Sequence, residues 1–187
     1  LKPIRMEGIP VFYGEILSEH AHHALDVEHL SHLLCATDND YYNALVCQAQ
    51  GHEFGHHRTF QLPTHLEAGG GNKRLPLQQR GYSALSQTAT FEQLHQWLYS
   101  GWTLQTRKLS DSFSYAQLQA SLGTAGEDWQ LIGGVSPRGS FWLASSEKNF
   151  RPDAGWTLLY FATTAAVHTG TASDEAANNA NANATEA

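Results

Sequence analysis

The sequence has no apolar run long enough to cross a membrane, and it carries few charged residues. A bilayer-spanning helix needs about 20 consecutive apolar residues, whereas the longest apolar stretches here, such as residues 156–162, have the length of a strand. Charged residues make up only 16% of the 187 residues, and the net charge is -7. An acidic chain does not attract a phosphate backbone, so we expect no nucleic-acid partner.

Cysteine is also scarce, with Cys35 and Cys47 as the only two. Both lie within apolar runs, which favours buried, reduced thiols in a reducing compartment. A disulfide is the alternative that the sequence leaves open. The chain begins with Leu1 and has no charged-then-apolar leader, so we expect it to be a piece of a longer protein.

Residues 1–63 alternate between strand-like and helix-like segments. Three apolar runs predict strands, and two amphipathic stretches between them predict helices. In chain order these segments are residues 9–13, 18–27, 30–36, 41–50 and 58–62. The order β-α-β-α-β predicts a parallel sheet with crossover helices, an α/β fold.

The rest of the chain divides into three further zones. Residues 64–80 contain three consecutive glycines and little apolar periodicity, which predicts a linker. Residues 81–166 predict a small α+β domain. Its expected elements are a helix between Thr90 and Gly101, a strand at 102–109, a helix at 115–122, a hairpin at 129–144 and a strand at 155–162. Residues 167–187 hold too few apolar side chains to form a core, which predicts a disordered tail.

Helical spacing in the third zone predicts which side chains form its core. Trp97 and Leu98 follow Phe91 and Leu94 at helical intervals, so we expect them to face the predicted strands. The strand residues expected opposite them are Leu104, Ile132, Phe141 and Leu158. The alternative is that Trp97, Trp102 and Trp142 form a platform on which a ligand stacks.

His52, Glu53 and His56 match the H-E-x-x-H pattern of zinc metallohydrolases. On a continuous helix the two histidines would hold Zn²⁺ and the glutamate would act as general base. Gly51 and Gly55 bracket the motif, however, and a strand pattern follows at once. A third ligand is also needed, and Glu92 is the candidate on a second helix. We therefore expect a solvated helix-to-strand loop, with the zinc site as the alternative.

A second histidine cluster comprises His20, His22 and His23, within eleven histidines in all. No acid or cysteine lies at a fixed spacing from it, so we expect an exposed helix face. Imidazoles titrate near neutral pH, and the sequence leaves open whether these segments sense pH or bind metal.

Three segments resemble a family when taken in order. They are residues 8–15 (GIPVFYGE), residues 33–45 (LLCATDNDYYNAL) and residues 53–62 (EFGHHRTFQL). Together they resemble the second half of a TrkA-N (RCK-type) regulatory domain, as fused to NhaP-like monovalent cation/proton antiporters. The pattern at residues 152–160, Pro-x-x-x-Trp-Thr-Leu-Leu-Tyr, also looks like the end of such antiporters.

The resemblance implies a half-Rossmann α/β fold of RCK type, followed by the small α+β domain. It implies nucleotide contacts at two loops, formed by Gly14, Glu15 and Ile16 and by Thr37, Asp38 and Asn39. This chain has no G-x-G-x-x-G turn, the usual phosphate cradle. The cofactor therefore stays unknown: an adenine nucleotide is the candidate for the full-length protein, and none is expected for this chain alone.

The resemblance also implies a function. The chain is expected to be a regulatory, ligand-sensing and dimerising fragment of a bacterial sodium or potassium/proton antiporter, without catalytic activity. Its partners would be the membrane antiporter domain of the same polypeptide and a second copy in a homodimer. It would lie at the cytoplasmic face of the inner membrane. A zinc metallohydrolase and a stand-alone nucleotide-binding protein are the alternatives.

Overall fold

The computed structural model describes residues 6, 9–19, 21, 29–65 and 75–166. The chain divides into a first unit of Leu1–Gln61 with Leu75–Tyr82 and a second unit of Leu62–Arg74 with Ser83–Ala187. In the part that is described, no helix has both the length and the apolar character needed to cross a bilayer. The predictions for the histidine cluster at residues 20–23 and for the tail at 167–187 concern residues almost entirely outside those described.

The first unit contains a parallel crossover. Strand β1 (Leu33–Cys35) is followed by helix α1 (Asp40–Phe54), a 3-10 turn (His56–Arg58) and strand β2 (Thr59–Gln61). β1 pairs parallel with β2, with Leu33 opposite Thr59 and Cys35 opposite Gln61. Strand β3 (Tyr82–Ser83) lies on the other side of β2. The predicted parallel pairing and crossover helix are thus confirmed for this stretch.

Both ends of α1 follow from local sequence. The Asn39 side chain accepts a hydrogen bond from the amide of Tyr42 at 3.0 Å, which caps the first turn. At the other end Gly55 has φ +79, a left-handed conformation that favours glycine and stops the helix. The helix therefore runs four residues beyond its predicted end at Gln50.

The strand predicted at residues 9–13 is absent. These residues have no strand assignment, and the side chains of Ile9 and Tyr13 are 53% and 84% exposed. Pro10 has no amide hydrogen to donate to a ladder. The half-Rossmann prediction is therefore wrong at its first strand, and the parallel part of the sheet observed here is the β1–α1–β2 crossover.

One buried cluster of the first unit contains both cysteines. Cys35, Val46 and Cys47 are buried together between β1 and α1. The partly buried side chains packed around them are Ile16, Leu17, Leu33 and Tyr42. Both thiols are free, as predicted. The Cys47 thiol donates to the carbonyl of Phe60 at 3.4 Å, and its pKa is raised by the neighbouring Cys35 side chain and by burial.

Part of the predicted linker is built into the first unit. Leu77–Gln79 forms a 3-10 turn, and Arg80 is buried, donating to the carbonyls of Leu75 and Gly81. A side chain on Gly81 would clash with the Cys47 sulfur and the Phe60 backbone. The absence of a side chain therefore allows this segment to approach the core closely. Leu75–Tyr82 accordingly belongs to the first unit.

The second unit follows its predicted element order closely. Helix α2 is capped by Thr90 and is followed by Gly101 with φ +79. Helix α3 begins with a capping box at Ser114 and ends before Gly123. The elements are α2 (Phe91–Tyr99), β4 (Thr103–Lys108), α3 (Tyr115–Leu122), β5 (Trp129–Val135), β6 (Phe141–Leu143) and β7 (Thr157–Ala162).

The four strands of this unit form an antiparallel sheet in the order β4-β7-β5-β6. Side chains from β7 and α3 form its main core. The buried members are Leu109, Leu118, Leu122, Trp129, Leu158, Tyr160, Ala162 and Ala166. The second unit thus combines helices with an antiparallel sheet, and its core lies on the sheet face that carries Leu158, Tyr160 and Ala162.

The predicted burial of Trp97 is confirmed, but the predicted burial of two leucines is wrong. Trp97 is 4% exposed and stacks on Trp102, with ring centroids 4.7 Å apart. Leu98 and Leu104 are 56% and 53% exposed. Trp142 instead stacks on Phe150 at 4.1 Å. The three tryptophans therefore belong to two separate pairs, and the first pair is buried, which disfavours a ligand platform.

Candidate functional site

The loop between β1 and α1 is held in shape by one buried amide. Asn43 is 1% exposed, and its side-chain oxygen accepts from the amide and the hydroxyl of Thr37 at 3.1 and 2.7 Å. Its side-chain nitrogen donates to the Thr37 carbonyl at 2.9 Å. Every polar atom of the Asn43 amide group thus has a loop partner, so the loop is preorganised.

The same contacts determine which side chains of this loop are available to contact a ligand. The Thr37 hydroxyl is used within the protein, and the Asn39 side chain caps α1. Asp38 is exposed at the tip of the loop. An open depression in this region is lined by Asp38, Asn39, Asp40 and Tyr41. Of Thr37, Asp38 and Asn39, Asp38 is therefore the residue whose side chain is free of these internal contacts and can reach a ligand.

The second predicted loop reaches the same end of α1 through Glu15. The Tyr42 hydroxyl donates to the Glu15 carboxylate, and the Leu17 amide donates to the same carboxylate oxygen at 3.3 Å. The Tyr42 hydrogen bond, followed by that of Leu17, lowers the pKa of Glu15. Hydrogen bonding to Glu15 in turn raises the pKa of Tyr42. The Glu15 contact therefore anchors its loop to the first turn of α1.

The structure brings together some of the six predicted residues and assigns others to packing. Glu15, Asp38 and Asn39 lie around the first turn of α1, which begins at the carboxyl end of β1. Ile16 packs against the Cys35 cluster, and Thr37 is bonded internally. Sequence reasoning missed Asn43 and Tyr42. An asparagine four residues after the cap was the available signal for the first, because buried amides are hydrogen-bonded.

The arrangement suits hydroxyl groups better than phosphates. Carboxylates accept hydrogen bonds from the hydroxyls of a ribose. Glu15, Asp38 and Asp40 place negative charge at the helix start, which offsets the attraction of its amides for an anion. The site can therefore recognise a neutral, hydroxyl-bearing group.

The H-E-x-x-H motif does not lie on one continuous helix. His52 belongs to α1, the helix ends at Phe54, and His56 begins the 3-10 turn after Gly55. The two imidazole centroids are 6.2 Å apart, and the His56 ring lies over Gly51, where a side chain would clash with it. Among the described residues no group of three His, Cys, Asp or Glu side chains is placed to hold a metal ion.

The proposed third zinc ligand is engaged elsewhere. Glu92 contacts His65 at 3.1 Å, with both side chains more than half exposed. Glu92 also lies in the first turn of α2, where its own amide, the largest cause, lowers its pKa. The contact between Glu92 and His65 is therefore explained by the position of Glu92 at the start of α2.

Comparison with known proteins does not assign this chain to a family. No family model matches the chain, and no curated protein matches it. Among solved structures, a GsuK channel bound to NAD aligns with 87% of this chain at 13% identity and a TM-score of 0.33. A crystal structure of the GsuK RCK domain aligns with 86% at 15% identity and a TM-score of 0.32. The chain spans only 30% and 36% of the lengths of these two. Likeness at this level establishes neither a shared fold nor a shared function.

Proposed function

We propose that this chain is a regulatory module of a membrane ion-transport protein, and that the loop between β1 and α1 senses its ligand. The observation that carries the proposal is the preorganised loop at the carboxyl end of β1, with Asp38 exposed and Asn43 holding the backbone. Ligands of open α/β sheets bind outside the carboxyl ends of the strands. The resemblance of residues 8–62 to RCK-type regulatory domains supports the link to transport.

More specifically, we propose that the transporter is a sodium or potassium/proton antiporter and that the ligand is an adenine nucleoside or nucleotide. Asp38 would accept hydrogen bonds from the ribose hydroxyls. Ligand binding can regulate transport only if the ligand favours one conformation of the module over another. Glu15 would supply a second contact to the ligand, because Tyr42 anchors the Glu15 loop beside the start of α1.

We further propose that the chain has no catalytic activity. The end of α1 at Phe54 supports this, since the two motif histidines do not share one helix. A hydrolase would need them on one face to hold its metal. Tight, stoichiometric zinc that is lost in both His52→Ala and His56→Ala would contradict this part of the proposal.

Transport by the full-length protein tests the proposal directly. Cation/proton exchange would be measured in membrane vesicles with and without adenosine, AMP and NAD, for the wild type and for Asp38→Asn. We expect the ligand to change the transport rate. In Asp38→Asn the half-maximal effect should need about tenfold more ligand, which is the effect of losing one charged hydrogen bond. Asp111→Asn, at an exposed position outside the loop, is the matched control. Equal ligand dependence in all three proteins would refute the assignment of the loop.

Calorimetry on this chain alone gives a second test. Because the chain contains no G-x-G-x-x-G cradle, we expect nucleotides to bind this chain too weakly for calorimetry to detect. Micromolar affinity would show that the loops at residues 14–16 and 37–39 suffice by themselves, or that the fold of the site differs from our account.

A further inference from the structure

We propose that β4 is an interaction surface that pairs antiparallel with β4 of a second copy of this chain. The inference deepens the proposed function, because it names the surface through which two regulatory modules would associate. The four-stranded sheet has two edge strands, β4 and β6.

The two edges differ in length and regularity. β6 has three residues, whereas β4 has six and pairs with β7 over its whole length, from Thr103 opposite Ala162 to Lys108 opposite Thr157. The irregularity in this sheet lies between β5 and β7, away from β4. Within the described residues no strand pairs with the outer side of β4. A long, regular edge presents backbone donors and acceptors to another strand.

β4 contains no proline or glycine, and its two charged residues, Arg107 and Lys108, lie together at one end of the strand, which leaves the rest of the edge uncharged. Its two faces follow from the register with β7. Thr103, Gln105 and Arg107 share the face of Ala162, Tyr160 and Leu158, the buried core. Leu104, Thr106 and Lys108 share the opposite face and are all exposed. The edge therefore combines an exposed apolar side chain, Leu104, with a threonine at the middle of the strand.

A second copy fits this edge because the strand is compatible with itself when reversed. A two-fold axis perpendicular to the sheet keeps the two cores on one side, so residues of the same face must pair. Centring the axis on Thr106 places it opposite its own copy, Gln105 opposite Arg107, and Leu104 opposite Lys108. No like charges then face each other. The Lys108 stem can cover the exposed Leu104 side chain, leaving its ammonium group in water.

Other apolar side chains flank the same edge in sequence. Leu98 and Tyr99, at the end of α2, are 56% and 88% exposed and precede β4 by one tight turn at Gly101. Exposed large apolar groups next to an open edge favour association over solvation. An acidic peptide is a poorer occupant, because the only charges of β4, on Arg107 and Lys108, lie at one end of the strand.

The contact is small, which predicts its strength. Pairing along one short strand buries well under the roughly 1,600 Å² of a standard stable interface, so we expect a dissociation constant of about 0.1–1 mM. Modules held beneath one membrane assembly experience effective concentrations in this range. The net charge of -7 on each copy opposes association, so added salt should strengthen the dimer.

The first experiment is sedimentation equilibrium from about 10 µM to about 2 mM chain, in low and high salt. We expect a reversible monomer–dimer equilibrium that tightens with salt. Thr106→Lys places two lysines at the two-fold axis and should raise the dissociation constant of the dimer by at least about tenfold. Gln119→Lys makes the same charge change at an exposed position of α3 and should leave the dissociation constant of the dimer unchanged. Unaltered melting temperatures would show that both variants fold.

The second experiment traps the register. Thr106→Cys should form a disulfide with its own copy when a small disulfide oxidant is added, with two thiols oxidised and the oxidant reduced to two thiols. Gln119→Cys should not form one, and the native Cys35 and Cys47 are buried. A chain that stays monomeric, a dimer indifferent to Thr106→Lys, or crosslinking equal at residues 106 and 119 would overturn the proposal. Neither experiment uses a nucleotide, so the proposed ligand site can fail while this surface stands.

Discussion

The two units stabilise themselves in different ways. In the first unit, Cys35, Val46 and Cys47 are buried together between β1 and α1, and the geometry of the loop between these elements depends on a buried amide. In the second unit, a four-stranded antiparallel sheet carries an apolar core on one face. The difference suggests a division of roles. A unit that depends on a few directional hydrogen bonds can respond to a ligand, whereas a well-packed antiparallel sheet can hold a fixed surface.

The largest predicted effect falls in the second unit. Trp97 is 4% exposed and stacked on Trp102, so Trp97→Ala should cost about 3–5 kcal/mol of unfolding free energy. Leu98→Ala, one residue along the same helix but 56% exposed, should cost well under that. Denaturant unfolding followed by circular dichroism measures both. Equal losses would contradict the packing described for this unit.

A smaller effect is predicted for the first unit. Asn43→Ala removes three hydrogen bonds to Thr37 and leaves its backbone groups without that partner, which should cost about 2–3 kcal/mol. Amide exchange should accelerate at residues 37–39 and stay unchanged in β4–β7. Asn39→Ala serves as the control, because it removes the cap of α1 but keeps the Asn43 contacts; its cost should be about 1 kcal/mol. Protection of the loop in Asn43→Ala would show that another group holds it.

The two units also differ in how well their helices and strands could be predicted from the sequence. Caps and stops are local, so Thr90 and Gly101 bounded the first helix of the second unit correctly, and the hairpin at 129–144 followed from its turn residues. The strand at residues 9–13 failed because an apolar run containing Pro10 does not specify a partner strand. The exposure of Leu104 could not be predicted, since it depends on β4 lying at the edge of its sheet.

The candidate site shows the same limit. The cap residues at 38–40 were predictable from their types. The anchoring of Glu15 by Tyr42 joins residues far apart in sequence, and so does the close approach of Gly81 to Phe60. Such contacts arise only once the chain has folded, and no local pattern encodes them.

The motif histidines should contribute little. His52 and His56 are exposed, so replacing either by alanine should change the free energy of unfolding by less than about 1 kcal/mol. Thermal melting with and without added zinc checks this. A zinc-dependent rise in melting temperature that both substitutions abolish would restore the metal site.

The smallest effect concerns a pKa. Tyr42→Phe removes the hydrogen bond that does most to lower the Glu15 pKa, so this pKa should rise toward its ordinary value. A lowered carboxyl pKa stabilises the folded state at pH values above the unfolded pKa, and this contribution is lost as pH falls through the folded pKa. The stability difference between wild type and variant should therefore be present at neutral pH and vanish in acid. NMR titration of the Glu15 carboxyl carbon provides the measurement, and an unchanged Glu15 pKa would contradict the contact.

The central claim is that the loop between β1 and α1 is the ligand-sensing site, and NMR chemical-shift mapping tests it most directly. Isotope-labelled chain would be titrated with adenosine and, separately, with AMP. We predict weak shifts centred on residues 37–41 and on Glu15, reduced in Asp38→Asn but not in Asp111→Asn. Adenosine should bind at least as well as AMP, because carboxylates surround the start of α1. Shifts centred elsewhere, or none in this loop at several millimolar ligand, would contradict the account.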